Sequence, residues 1–95
     1  MERDGVVYVP LNDVTVALGG QVTWDNSTKM AAATIGQWTA NVQMMNTAVD
    51  VNGKGVNISA PPVVADGKMY VPWDFFRDCY GYKASMAGDM LTIGL

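Results

Sequence analysis

Side chains able to do chemistry are scarce in this chain of 95 residues, and histidine is missing altogether. Without histidine a type-2 copper(II) site lacks its usual ligand, and a Ser-His-Asp or Cys-His arrangement lacks its base. None of the glycine motifs that cradle phosphate occurs. Asp74 and Asp78 stand four apart with Arg77 beside them, a spacing that puts both carboxylates on one helix face. General acid–base work would need a pocket and a shifted pKa, so this trio reads as a solvated face. Seven methionines include the pair Met44-Met45 and Met86 with Met90. Thioethers can hold copper(I), but adjacent residues on a strand point to opposite faces, and these methionines read as core filling. The one cysteine, Cys79, can form no internal disulfide and reads as a small buried hydrophobe rather than a reactive thiol.

Aromatics are the stronger constellation. Trp24, Trp38, Trp73, Tyr80 and Tyr82 are the residue types that build a flat platform for a sugar ring or anchor a protein partner. Trp38 begins a run of strict alternation and Trp73 falls on an apolar helical stripe, so both are expected in the core. Tyr82 follows a glycine where an earlier, similar segment has Gly20, and both burial and exposure remain open for it. The candidate ligand or partner surface is therefore Tyr82, Tyr80 and Trp24, with no catalytic, cofactor or metal residues expected.

Two segments of identical spacing must position these side chains. Tyr8-Val9-Pro10 recurs 62 residues later as Tyr70-Val71-Pro72, and Gly19 recurs as Gly81. Tyrosine and valine favour a half-buried strand. Proline then fixes φ near the helical value and gives up an N–H that a first helical turn leaves unpaired. Each strand should pass directly into a short helix. Leu11, Val14, Ala17 and Leu18 form one stripe over 11–18, and Trp73, Phe76, Cys79 and Tyr80 form another over 73–80. Asn12, Asp13 and Asp74 suit the first turns, and Gly19 and Gly81 can take the positive φ that closes each helix. Helices this short are unstable alone, so each apolar face must lie on a sheet.

The rest of the chain reads as short strands. They are expected over 5–9, 21–24, 29–35 and 38–44, then 48–51 and 54–58 flanking Asn52-Gly53, the strongest short hairpin signal. Ala60-Pro61-Pro62 breaks pairing, and Asp66-Gly67 turns 63–64 back onto 69–71. Strands over 83–86 and 90–93 follow, joined by Ala87-Gly88-Asp89, as Asp25-Asn26-Ser27-Thr28 joins the earlier pair. Two helices and many hairpin-linked strands define a single small α+β domain with helices packed on antiparallel sheet and a duplicated strand-helix-strand-strand unit. Met1-Glu2-Arg3-Asp4 is too short and too charged for a secretion signal, so residues 1–4 read as a linker and 5–95 as the domain. A net charge of −3 with no basic cluster argues against nucleic acid, and no apolar run is long enough to span a bilayer.

The succession YVPLNDVTVALGGQVTWDNSTK, followed by DVNGKGVNISAPPVVADGKMYVPWDFFRDCYGY, resembles the copper amine oxidase N-terminal-like, or stalk, domain of secreted and surface proteins of Gram-positive bacteria. The match covers 5–95. It is carried by Val9-Pro10, Val71-Pro72, Trp24-Asp25, Asn52-Gly53, and Pro61-Pro62 ahead of Asp66-Gly67. The second segment departs in reading Met86-Ala87 where the family has tryptophan and aspartate. The arginine that commonly follows Val-Pro-Leu is replaced by Asn12 and Asp74. The resemblance implies an accessory module, since copper and the quinone cofactor of amine oxidases belong to a separate catalytic domain. The expectation is a non-catalytic, extracellular or cell-surface domain recognising cell-wall polysaccharide, or another protein or domain of the parent chain. It would have no cofactor and be monomeric or weakly self-associating. The alternative is a purely structural spacer with no ligand.

Overall fold

The computed structural model describes residues 2–25, 27–87 and 90–94. The expected turns at 25–28 and 87–89 therefore fall partly outside the described residues, at Asn26, Gly88 and Asp89. The chain opens with β1 (Glu2–Arg3) and β2 (Val6–Pro10), passes through α1 (Leu11–Ala17) and continues as β3 (Gln21–Asp25), β4 (Met30–Ile35) and β5 (Trp38–Gln43). Then come β6 (Ala48–Val51), β7 (Lys54–Asn57), β8 (Val63–Ala65), β9 (Lys68–Pro72), α2 (Phe75–Tyr80), β10 (Lys83–Ala87) and β11 (Met90–Gly94). All pairings are antiparallel. β3 to β7 form a five-stranded meander, β1-β2-β9-β8 a second sheet, and β10-β11 a separate hairpin.

Four two-residue turns set registers among the described residues: Gly36-Gln37 joins β4 to β5, and the other three share one backbone chemistry. Asn52-Gly53 (φ 51° and 86°) and Asp66-Gly67 (φ 54° and 77°) have both central residues left-handed, as a type I′ turn demands, and join β6 to β7 and β8 to β9. Asp4-Gly5 (φ 53° and 81°) does the same between β1 and β2. Glu2 and Arg3, which the sequence reading leaves ahead of the first strand, thus pair with Val7 and Val6.

The two Val-Pro strands lie side by side. Val9 stands opposite Val71, while Tyr8 faces Pro72 and Pro10 faces Tyr70, so residues at matching positions exchange across the pair. Each strand runs into a helix and then an antiparallel hairpin, β2-α1-β3-β4 and β9-α2-β10-β11. Gly19 and Gly81 take φ of 86° and 79° at the two helix ends. After α1 the N–H of Gly20 returns to the Thr15 carbonyl at 2.9 Å and that of Gly19 to Val16 at 3.0 Å, the paired bonds of a Schellman end.

The core lies where the inward residues of β4, β5 and β6 meet the helices. Ala31, Ala33, Ile35, Ala40, Val42, Val49 and Val51 are buried together with Leu11, Phe75, Phe76 and Cys79. The buried stripe of α1 is Leu11, Val14, Thr15 and Leu18 rather than one containing Ala17, which is exposed. Thr15 is completely buried and its hydroxyl has no hydrogen-bond partner. α2 starts two residues later than its stripe predicts. The Trp73 N–H is taken by the Val7 carbonyl at 3.0 Å, which prolongs sheet pairing, and the first helical bond runs from the Asp78 N–H to the Asp74 carbonyl. Trp73 is consequently half-buried, with the Arg77 guanidinium 5.6 Å from its ring centre.

Trp38 corrects the sequence expectation more sharply, being 51% exposed. Alternation along β5 is real, since Ala40 and Val42 are fully buried. Trp38 shares their face but opens the strand opposite Ile35, the last residue of β4, so its large ring overhangs the end of the core. The methionines divide in the same way. Met44 and Met86 pack against the core, whereas Met45 and Met90 are 69% and 68% exposed. Met45 has left β5 and sits in a turn at φ 67°.

Candidate functional site

Exposed aromatic and aliphatic surface with polar groups at its margin surrounds Trp24. β3 is an edge strand of the meander, and Trp24 is its penultimate residue, opposite Ala31. Its side chain points to the core side, yet the small Ala31 and the end of the sheet leave it 42% exposed. Asp25 fixes the chain just beyond. Its Oδ1 accepts the Ser27 hydroxyl at 2.7 Å and the N–H groups of Ser27 and Thr28 at 3.0 and 3.4 Å. Those donors, the Ser27 hydroxyl first, hold the Asp25 carboxyl below the usual aspartate range.

Trp24 is a wall of two concavities. One, of about 260 Å³, lies between the start of α1 and the β8-β9 turn, with Asn12, Asp13, Lys68 and Met69 among its lining residues. Asp13 and Lys68 are 3.8 Å apart and both more than half exposed. The other, of about 420 Å³, is lined by Trp24, Lys29, Met44, Val64 and Gly67. Its walls are tied by backbone bonds from Met44 N–H to the Lys29 carbonyl (3.2 Å) and from Met45 N–H to that of Pro62 (3.1 Å). Val64, at 38% exposure, adds aliphatic surface. Aromatic face, aliphatic wall and a rim of amide, carboxylate and ammonium are what a sugar or a mixed polar–apolar ligand requires.

The other candidates lie together, in a different setting. Tyr80 and Tyr82 have ring centres 6.3 Å apart, and no ring contact joins either to Trp24 among the described residues. Tyr80 is half-buried, stacked on Phe76 at 6.0 Å, and its hydroxyl donates to the Ala33 carbonyl at 2.6 Å. Tyr82 is half-buried and packs against the main core. Sequence reading singled out Trp24 but missed Asn12, Asp13, Lys68, Met44 and Val64. Only the DG turn ahead of Lys68 hinted at its placement, because Asp13 and Lys68 meet through tertiary packing alone.

The trio is only partly the solvated face its spacing suggests, since Arg77 and Asp78 are exposed whereas Asp74 is buried. Asp74 is 9% exposed, accepts the Ser59 hydroxyl at 2.9 Å, and lies 3.4 Å from Arg77. Arg77 also bonds Asp78 at 3.1 Å. Asp74 fastens the loop before β8 to the start of α2, and neither carboxylate faces a pocket among those described. Cys79 lies behind them, 5% exposed. Burial first, then the negative charges of Asp78 and Asp74, push its thiol up to about 12 from 9.0. Burial likewise raises the Tyr80 hydroxyl.

These two groups predict alkaline sensitivity. Each has a folded-state pKa above its unfolded one, so the unfolded chain loses its protons first as pH rises. Stability from Cys79 is intact below pH 9.0 and falls away between there and about 12, with Tyr80 adding the same sign above its ordinary value. Thermal melts from pH 8 upward should show the midpoint falling from about pH 9, and Cys79→Ala should make that fall shallower. A flat midpoint through pH 11 would contradict the burial argument.

Copper(II) lacks its usual imidazole donor here. The chain lacks histidine, no cluster of three or more Cys, Asp or Glu occurs among the described residues, and the single thiol is buried and held protonated. A search of curated proteins returns no match. A family model, that of the copper amine oxidase N-terminal domain, matches residues 1–95. With the whole length matched, the chain belongs to the copper amine oxidase N-terminal domain family.

Proposed function

We propose that this domain is a non-catalytic accessory module of a secreted or cell-surface bacterial protein, and that it recognises cell-wall glycan through Trp24. The duplicated Val-Pro unit acts as scaffold in this reading, and the edge strands β7 and β8 offer a route to weak self-association. One observation carries it: Trp24 is 42% exposed and forms a wall of both a polar and an aliphatic concavity. Trp38 is more exposed still but lines neither concavity, so it is the place of Trp24 between the two, and not exposure alone, that marks it. Sugar rings pack their C–H faces on indole while hydroxyls reach for amide and carboxylate groups such as Asn12 and Asp13.

Co-sedimentation with isolated peptidoglycan and with soluble polysaccharides tests this. The wild-type domain should be retained by at least one of them, and Trp24→Ala should lower retention about tenfold or more, on the scale of losing an aromatic anchor. Tyr82→Ala, at a half-buried position outside the groove, should retain binding within about threefold. No retention of the wild-type domain on any glycan would overturn this reading and put the spacer ahead of it.

A further inference from the structure

The two concavities that meet at Trp24 differ in chemistry. The first presents a carboxylate, an amide and an ammonium from Asp13, Asn12 and Lys68. The second presents Val64 and Met44, with only Lys29 carrying a charge among its side chains. Trp24 and Gly67 line both, so the two adjoin along that shared border. A pyranose lying on the indole therefore has a polar side and an aliphatic side to satisfy.

We infer that the groove selects N-acetylated glycans, seating an acetamido methyl against Val64 and Met44 while ring hydroxyls turn toward Asn12 and Asp13. This rests on the glycan reading above. A hydroxyl driven into the Val64 and Met44 side would give up water without gaining a partner from either residue. A methyl there gains burial, worth about fourfold in affinity for one group. An unacetylated hexose chain has no methyl to place there, and a wholly apolar peptide would leave the Asn12 and Asp13 side unsatisfied.

Isothermal titration with β-1,4-linked tetramers of N-acetylglucosamine and of glucose tests this. The acetylated tetramer should bind about fourfold tighter or more. Val64→Thr, nearly the same shape at an exposed position of β8, should shrink that ratio to about twofold or less, because its hydroxyl gives a sugar hydroxyl a partner where the methyl had the advantage, and should leave the melting temperature nearly unchanged. Trp24→Ala should weaken both tetramers together. Equal affinity for the two tetramers, or a ratio that Val64→Thr does not change, would overturn selection by the acetamido group and leave the glycan reading standing. Binding of neither tetramer, alongside no retention on any glycan, would overturn both.

Discussion

Gly20→Ala is expected to destabilise the domain by about 3 kcal/mol or more, lowering the melting midpoint by about 12–24 °C or preventing folding. A Cβ on Gly20 would overlap the Thr34 carbonyl oxygen and lie 2.8 Å from Ile35 Cγ1 and 3.0 Å from Thr15 Cγ2. The first obstacle is backbone of β4, which is paired on both sides by β3 and β5 and has no room to shift. Moving Gly20 instead would break its N–H bond to the Thr15 carbonyl and loosen the end of α1. Gly19→Ala provides the contrast. Its φ is 86° but no atom lies within 4 Å of the added carbon, so only left-handed backbone strain of about 1–2 kcal/mol applies. Equal losses for the two variants, measured by urea or thermal unfolding, would show that β4 does not press on Gly20.

Phe76→Ala should cost about 3–5 kcal/mol, against a total stability of roughly 5–14 kcal/mol for a chain of this size. Phe76 is fully buried. Its ring lies edge-on to Phe75 at 5.1 Å and stacked on Tyr80 at 6.0 Å. Removing it opens a void where α2 presses on the alanines of the meander and frees Tyr80 on one side. The second consequence gives an independent readout. In any variant that still folds, ultraviolet titration of Tyr80 should move back toward the ordinary phenol range, because less burial opposes ionisation. A stability loss under about 1 kcal/mol would mean that α2 is not a core element.

Much of this scaffold was legible because its signals are local. Asn52-Gly53 and Asp66-Gly67 specify left-handed turns whatever surrounds them, and Pro10 followed by Leu11 announces a strand that becomes a helix. Gly19 and Gly81 likewise act through their own backbone. Asp4-Gly5 carries the same turn chemistry, but the strand ahead of it, Glu2–Arg3, is too short for a periodic pattern to announce it. Boundaries set by tertiary contact were missed. Trp73 fits a helical stripe, but its N–H belongs to Val7, 66 residues away in sequence.

The site was legible only in part. Period-two alternation tells which face of β5 Trp38 occupies, and nothing about whether the core extends that far along the strand. Burial of Asp74 depends on Ser59, fifteen residues distant, so a helix-face argument placed it in water. Trp24 stood out by residue type, whereas its surroundings come from α1, β4, the β8-β9 turn and the loop after β5, which only folding brings together.

Chemical-shift mapping tests the central claim most directly, with the isotope-labelled domain titrated with soluble peptidoglycan fragments. The Trp24 indole N–H and the amides of Asp13, Met44, Val64 and Lys68 should shift together and saturate, while the indole of Trp38, also exposed, stays still. Shifts confined to Trp38, or none anywhere at saturating fragment, would contradict recognition through the Trp24 groove.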